Sequence, residues 1–360
     1  MNNRSVGIMT WHYYHNFGSA LQGYALQSSI CSLGYKCHII NYRNKRFGEY
    51  DPIKEWVKIL LDRLNVSKKY RFPFSCFHAK YLKQTTIEQN SQNLYTTVAK
   101  FDTVICGSDQ IWAPNVFNPV YMLDFVPDDI PKVSYAASIG LNEIPDELVG
   151  TYQKLLSRFR AISVRENQGA QLLDQRCGIK AEVVLDPTLL MNVDDWKKVE
   201  KKVKGKNKFI FCYFLNKDHR YKQSVRKYAK KKGVEVIGCS ANPEDTSWMT
   251  VLGNEIGPCE FLWLIHHAEA VFTDSYHGTI FSLLYHKPFI TFERFENTDK
   301  ICQNSRIYQL DDYFNLTQRI IKVEEETELI IGGFDYDIFE QRLCELRKSS
   351  LEFLRKALEG

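Results

Sequence analysis

Residues 6–41 read VGIMTWHYYHNFGSALQGYALQSSICSLGYKCHIIN, and this stretch decides the fold class. Apolar runs at 6–11 and 36–41 predict two strands, and apolar side chains spaced at helical intervals predict a helix over 19–33. Gly34 follows that helix where a C-terminal cap glycine is favoured. A strand, a helix and a second strand in this order form a parallel βαβ unit.

The same alternation continues along the chain and restarts near residue 189. We predict an α/β fold of two Rossmann-like domains facing a cleft, with a C-terminal helix. The predicted boundaries are 1–188 for the first domain, with a basic helical insertion at about 43–83, then 189–330 for the second domain and 331–360 for the helix. Further strands are predicted at 101–106, 133–137, 160–164, 182–185, 209–214, 234–238, 270–273 and 289–292. Further helices are predicted at 147–158, 166–175, 218–232, 258–269, 278–286 and 336–358.

The composition narrows the class of protein. The 360 residues are 44% hydrophobic and 25% charged, so the chain can form cores and is not disordered. No apolar run reaches the length of about 18 residues that a membrane span requires, and the first residues lack the pattern of a secretory signal. The ten cysteines form no CxxC pair, which indicates reduced thiols and a cytoplasmic location. A net charge of +4 gives no indication of nucleic acid binding.

The positive charge is concentrated in one segment, residues 43–83. Eleven Lys and Arg residues there face four acidic residues, so the segment carries +7 while the whole chain carries only +4. Residues 53–64 place six apolar side chains on one face of a helix. A basic amphipathic helix can lie on an anionic membrane surface, so we expect a peripheral contact with the inner face of the cell membrane. The alternative is an ordinary helix packed on the first domain.

Four junctions between a predicted strand and helix carry polar residues. Parallel sheets bind ligands at the carboxyl ends of their strands, so these side chains are the candidate site. The junctions are His15-Asn16-Phe17-Gly18-Ser19, Gly107-Ser108-Asp109-Gln110, Ser163-Val164-Arg165-Glu166 and Thr273-Asp274-Ser275-Tyr276-His277-Gly278.

Each junction has a functional and a structural interpretation. The turn with His15, Asn16 and Gly18 either approaches a ligand or needs positive φ angles. Asp109 is placed to act as a base or orienting group, or it caps the next helix.

The other two junctions suggest anion binding. The guanidinium of Arg165 suits a carboxylate or phosphate, unless it forms a surface pair with Glu166. His277 would place an imidazole beside the free N–H groups of a helix start, which is a favourable seat for phosphate. The adjacent pair His266-His267 cannot chelate one metal from one helix face, and we expect no metal site and no cofactor.

Six motifs occur together in a fixed order: 15–22 (HNFGSALQ), 107–112 (GSDQIW), 134–140 (SYAASIG), 163–166 (SVRE), 185–190 (LDPTLL) and 273–278 (TDSYHG). In this order they resemble the polysaccharide pyruvyl transferase family of bacterial capsule and exopolysaccharide synthesis. The resemblance implies a GT-B-like fold and a reaction in which phosphoenolpyruvate (PEP) forms a pyruvate ketal on a sugar. It also implies that Arg165 and His277 hold the PEP.

From the strand-end positions and this resemblance together, we expect defined roles for the candidate residues. His277, Asp109 and Arg165 would be catalytic, with Ser275, His277, Gly278 and Arg165 binding PEP. The residues expected at the acceptor or in the cleft are His15, Asn16, Gly18, Ser108 and Gln110. The expected acceptor is a sugar carried on undecaprenyl diphosphate. Two alternatives stay open: a nucleotide-sugar-dependent GT-B glycosyltransferase, and a sugar-binding or scaffold protein.

Overall fold

The first strands and helices follow the predicted βαβ pattern. The computed structural model describes residues 4–43, 54, 56–57, 60–61, 64, 72–87, 91–216, 221–240, 247–253, 255–296, 299, 301–322, 329 and 331–360. The chain divides into two compact units. Unit 1 comprises Met1–Val57, His78–Met191 and Leu343–Gly360, and unit 2 comprises Lys58–Phe77 and Asn192–Arg342.

Unit 1 contains a parallel sheet with strand order β2-β1-β3-β4. Isolated bridges then join the β4 region to the pair β5-β6. The strands are β1 (Ser5–Met9), β2 (Lys36–Ile39), β3 (Thr103–Cys106), β4 (Lys132–Ser134), β5 (Ser163–Val164) and β6 (Glu182–Val183). The helices are α1 (Phe17–Ser32), α2 (Pro73–Tyr81, partly in unit 2), α3 (Ser91–Val98), α4 (Asp146–Leu156) and α5 (Asn167–Cys177), with 3₁₀ turns at Pro114–Val116, Pro119–Met122 and Pro187–Leu189.

Unit 2 contains a six-stranded parallel sheet, β12-β11-β10-β7-β8-β9. Counted from its own first strand, this is the 3-2-1-4-5-6 order of a dinucleotide-binding Rossmann sheet. The strands are β7 (Phe209–Phe214), β8 (Glu235–Ser240), β9 (Thr250–Val251), β10 (Val271–Thr273), β11 (Phe289–Phe292) and β12 (Ile320–Ile321). The helices are α6 (Val193–Lys197), α7 (Lys222–Lys232), α8 (Pro258–His267), α9 (Tyr276–Leu284), α10 (Ser305–Phe314) and the first turns of α11 (Tyr336–Glu359), with a 3₁₀ turn at Thr317–Arg319.

Each unit has its own apolar core, because strands covered on both faces must be apolar on both faces. In unit 1, β3 is buried along its whole length, and Trp112 packs beside it, fully buried. In unit 2, β7 is buried at all six positions. The order of each sheet reverses beside its first strand, between β1 and β3 in unit 1 and between β7 and β10 in unit 2. Ligands bind at such switch points, which directs attention to the loops that follow these four strands.

Most predicted elements occur within a few residues of their expected bounds. The strand predicted at 160–164 is shorter, since only Ser163–Val164 is paired as a strand and Ala161 makes an isolated bridge. The helix predicted at 218–232 has Lys222 as its first helical residue, and residues 217–220 lie outside the described residues. Within the part of the chain that the structure describes, no helix is long and apolar enough to cross a membrane.

Candidate functional site

The switch point of unit 1 joins the loops after β1 and β3. Asp109 follows β3 and is buried, and its carboxylate accepts a hydrogen bond from Ser19 Oγ at 2.5 Å. Ser19 lies in the first turn of α1, after β1, so the bond crosses between the two loops. Asp109 Oδ1 also accepts from the backbone N–H of Gln110 at 2.9 Å. A carboxylate held next to a hydroxyl at a strand end can orient or deprotonate a ligand hydroxyl.

Gln22 holds the same two loops together from α1. Its amide nitrogen donates to Thr10 Oγ1 and to Trp11 O, both at 2.9 Å, while its amide oxygen accepts from Ser108 N at 2.9 Å. Gly107 allows the loop to pass close to the backbone of Tyr135, because it has φ +129° and a Cβ there would lie 1.9 Å from Tyr135 O. Ser108 is held at both its backbone and its side chain, since its Oγ also donates to Ala136 O at 2.8 Å.

Arg165 lies at the end of β5 and is 2% exposed. Its Nη1 donates to Asp186 Oδ2 at 2.8 Å, and its Nε lies 3.8 Å from Glu166 Oε2. Asp186 also accepts from Ser108 Oγ at 3.3 Å. Glu166 in turn accepts from Ser138 Oγ and from the N–H groups of Ile139 and Gly140. The guanidinium is thus the centre of a buried network that fixes three loops of unit 1.

The switch point of unit 2 contains the start of α9. Ser275 is the N-cap residue and its Oγ accepts from Gly278 N at 3.4 Å, while Thr279 Oγ1 donates to Ser275 O at 3.1 Å. His277 lies in the first turn and is 7% exposed. A Cβ on Gly278 would lie 2.5 Å from Thr273 Oγ1, so a glycine is required where the helix passes the strand. The positive end of the helix and the imidazole lie together at this sheet edge.

Asp274 holds the neighbouring loop across the switch point. Its carboxylate accepts from Leu215 N at 2.7 Å and from Asn216 N at 2.8 Å, both directly after β7. Burial raises the pKa of Asp274, although those two N–H groups and the nearby Arg294 act in the opposite direction. Asp274 therefore holds the loop after β7 in place through these two hydrogen bonds, and it does not act as an anion-binding group.

Two arginines accompany the start of α9. Arg294 follows β11, and burial lowers the pKa of its guanidinium while the charge of Asp274 raises it. Arg306 lies over the ring of Tyr276 at 5.9 Å, and both guanidinium groups donate to Gln303 Oε1, at 2.7 and 2.9 Å. Arg294 and Arg306 were missed from the sequence, because isolated arginines in loops carry no pattern. Only the position of Arg294 just after a predicted strand could have indicated that it lies at the carboxyl edge of the sheet.

Several structural interpretations from the sequence are wrong. Asn16 caps α1 by accepting from Ser19 N at 3.1 Å, and it has φ −126° and not a positive φ angle. Asp109 does not cap a helix, because the next helical turn starts at Pro114 with Ala113 as its cap residue. The Arg165–Glu166 pair is buried and not on the surface.

The predicted site residues fall into two groups. In unit 1 the structure brings together Asn16, Gly18, Ser108, Asp109, Gln110 and Arg165 around the loops after β1, β3 and β5, with His15 exposed beside them. Unit 2 brings together Ser275, His277 and Gly278. Sequence reasoning missed the role of Asp186, although its motif follows a predicted strand end as those of Asp109 and Arg165 do.

Two Rossmann-like units with polar switch points define a GT-B-like α/β protein, and comparison with solved structures agrees. The chain is similar to UDP-GlcNAc 2-epimerase from Methanocaldococcus jannaschii, with 13% identity over 99% of each chain and a TM-score of 0.55. A structure of that epimerase with UDP-GlcNAc and UDP gives 13% identity, 99% coverage of each chain and a TM-score of 0.50. The glycosyltransferase SnogD from Streptomyces nogalater gives 11% identity, 98% and 96% coverage and a TM-score of 0.44. The predicted α/β class with two Rossmann-like units is confirmed.

The chain belongs to the polysaccharide pyruvyl transferase family, whose model matches residues 16–294. The resemblance inferred from the six motifs is therefore confirmed. No curated protein matches the chain in sequence. The two epimerase structures share the fold at 13% identity, and they carry no information about the substrate of this chain.

Proposed function

We propose that this transferase uses PEP to form a pyruvate ketal on a sugar of a cell-surface polysaccharide precursor. The observation that carries the proposal is the cationic start of α9 in a chain of this family. His277, the positive end of the α9 dipole, Arg294 and Arg306 offer positive partners, and PEP carries both a phosphate and a carboxylate.

The reaction suits the groups in unit 2. Protonation of the PEP methylene carbon makes the central carbon electrophilic, and a sugar hydroxyl adds to it and loses its proton to a base. Phosphate then leaves with the C–O bonding electrons, and a second hydroxyl of the sugar closes the ketal and loses its proton. In this proposal His277 and the arginines stabilise the phosphate as it departs.

Asp109 is the residue of unit 1 that we propose to contact the acceptor sugar. Its bond to Ser19 Oγ shows that a hydroxyl already fits against this carboxylate, so a sugar hydroxyl could be oriented or deprotonated in the same way. Arg165 as a PEP ligand stays a prediction, since its observed partner is Asp186. We propose that Arg165 acts first as a positioning residue for the loops around Ser108 and Ser138.

The test is titration calorimetry of PEP against the wild type and against Arg294→Gln and His277→Asn. Loss of one charge-assisted contact costs about 1.5–3 kcal/mol, so each variant should bind PEP at least about tenfold more weakly. Arg226→Gln is the matched control, because Arg226 is exposed on α7 of the same unit. Unchanged PEP binding in Arg294→Gln and His277→Asn would contradict the proposed donor site.

The same titration separates the alternative function. A helix start with two arginines also suits a diphosphate, and the M. jannaschii epimerase structure contains UDP-GlcNAc and UDP. UDP-, GDP- and CMP-sugars are therefore titrated beside PEP. Saturable binding of a nucleotide-sugar, together with no measurable binding of PEP, would favour a GT-B glycosyltransferase.

We further propose that the acceptor is lipid-linked and that the protein meets it at an anionic membrane surface. Helical residues of the 54–64 segment expose large apolar side chains: Trp56 and Leu64 are each 63% exposed, and Val57 and Leu60 are 39% and 38% exposed. These residues lie within the stretch 43–83 that carries +7. Exposed apolar side chains in a basic stretch favour contact with anionic lipid head groups.

A further inference from the structure

Three potential metal ligands meet at the C-terminal end of α8 in unit 2. The ligand atoms of Glu200, His266 and His267 all lie within 4.8 Å of one another. His266 Nδ1 lies 2.9 Å from Glu200 Oε1, and the two imidazole rings are 4.7 Å apart. Spacing along a helix predicted that adjacent histidines could not share a metal. In the structure, however, the helix ends at His267, and the ligand atoms of both histidines lie near the same carboxylate.

The surroundings hold both rings in place. His267 Nδ1 lies 3.0 Å from Trp263 O, and since a carbonyl only accepts, Nδ1–H donates and Nε2 is left as the basic nitrogen. Metal-bound histidines commonly donate their other N–H to a carbonyl in this way. The ring of His267 also stacks on Trp263 at 4.4 Å, and the ring of His266 stacks on Tyr285 at 4.6 Å.

The local charge favours a cation. The C-terminal end of α8 is the negative end of the helix dipole, and Glu200 adds a carboxylate with only 9% side-chain exposure. His267 is exposed, so the position is open to solvent. His266 Nδ1 and Glu200 Oε1 form a hydrogen bond of 2.9 Å, and a tetrahedral ion with ligands at about 2.0–2.1 Å would replace it by widening their separation to only about 3.3 Å.

We propose that Glu200, His266 and His267 form a binding site for a zinc-class divalent metal ion. Two imidazoles and one carboxylate favour zinc or a neighbouring transition metal, whereas calcium and magnesium require mainly oxygen ligands. The three ligand atoms already lie within 4.8 Å of one another, so a small shift of the His267 ring completes the third bond, and a fourth position faces solvent. The site lies apart from the start of α9 and from the proposed reaction with PEP, so it is independent of that function.

The experiment is titration calorimetry of the full-length reduced protein with zinc chloride. Wild type should bind one zinc ion at this site, and His267→Gln and Glu200→Ala should each weaken that binding by at least roughly tenfold, the loss that removal of even an outer partner causes. His286→Asn is the matched control. It removes an imidazole that pairs with Glu340 at 2.8 Å in the same unit, and its backbone φ of 51° suits asparagine.

A second measurement separates this site from the thiols of the ten cysteines. Zinc should raise the melting temperature of wild type and of His286→Asn, and should raise that of His267→Gln and Glu200→Ala less, because a bound ion stabilises only the form that binds it. Equal zinc affinity in wild type and His267→Gln would overturn the proposal by showing that zinc binds elsewhere. Absence of zinc binding to wild type would overturn it as well.

Discussion

Arg165 and Asp186 form an ion pair from which water is almost excluded, since the two residues are 2% and 1% exposed. A buried charge that keeps its partner is tolerated, but a charge that loses its partner is strongly unfavourable. The pair also reaches Ser108 through Asp186, so its energy is coupled to the loop that carries Asp109. A side chain expected from the family resemblance to bind a donor is therefore also part of the framework of unit 1.

Replacement of Arg165 by alanine should lower the free energy of unfolding by about 3–5 kcal/mol, because Asp186 would be left buried and unpaired. Urea denaturation followed by circular dichroism measures this. Lys180→Ala is the control, since its pair with Asp174 is exposed and is worth at most about 1 kcal/mol. An Arg165→Ala protein of normal stability that fails to bind PEP would contradict the framework role and support direct donor binding.

His12 gives a second prediction at this scale. Burial lowers the pKa of His12 to about 4, against an ordinary value of 6.5. The pKa of the neighbouring His78 is also lowered, by burial and by its electrostatic interaction with His12. The unfolded chain therefore binds more protons between pH 6.5 and 4, so stability is full above pH 6.5 and is lost as the pH falls toward 4. The expected loss for His12 alone is about 3 kcal/mol.

Urea denaturation at pH 7.5 and at pH 5 tests this prediction. His12→Asn should be less stable than wild type at pH 7.5, because the packing of the ring is lost, but its stability should depend less on pH. Parallel pH profiles for the two proteins would show that folding does not change the pKa of His12, which contradicts the prediction.

At the scale of elements, the periodicity and motifs of the sequence predicted the strands and helices that depend on local sequence. The first strand, α1 and the second strand follow from residues 6–41, and the start of α9 follows from the Ser275-Tyr276-His277-Gly278 motif. The bond between Ser19 and Asp109 joins residues 90 positions apart. Sequence could place both at carboxyl ends of strands, but only the strand order puts β1 next to β3. In the same way, the positions of Arg294 and Arg306 near the start of α9 depend on the strand order of the second sheet.

The exposed apolar face of the 54–64 segment gives a prediction for one element. The combined variant Trp56→Ser and Leu64→Ser should lose binding to phosphatidylglycerol vesicles in flotation, because it removes the two most exposed apolar side chains of that face. Binding by wild type should weaken as salt rises, since the attraction is screened.

Ile338→Ser is the control for this experiment. Ile338 is also 63% exposed but lies on α11, outside the basic stretch, so its replacement should leave flotation unchanged. If wild type stays with the protein fraction at the bottom of the gradient, the membrane proposal is wrong.

At the scale of the whole molecule, α11 belongs to both units by residue range. Its last part lies with unit 1, where Arg347 Nε donates to Leu189 O at 2.8 Å and Ser350 Oγ accepts from Leu185 N at 3.0 Å. These bonds flank Asp186 on both sides. The segment that supplies the partner of Arg165 is thus fixed by residues about 160 positions later in the chain.

The combined variant Arg347→Ala and Ser350→Ala should destabilise unit 1 by about 1–3 kcal/mol, because buried backbone groups of 185–191 lose their partners. Hydrogen exchange should become faster in 185–191 while unit 2 keeps its protection. Arg355→Ala, which removes an exposed pair with Glu359, should change neither. Uniformly faster exchange in both units would contradict the prediction.

The place of α11 also has a consequence for biosynthesis. A ribosome makes residues 192–342 of unit 2 before it makes residues 343–360, which complete unit 1. Domains usually fold in the order in which they emerge, but here the unit that is started first must wait for the unit that is started second. The nascent chain therefore carries residues 185–191 without Arg347 and Ser350 throughout the synthesis of residues 192–342, and translation must pass residue 350 before the segment that contains Asp186 acquires these two partners.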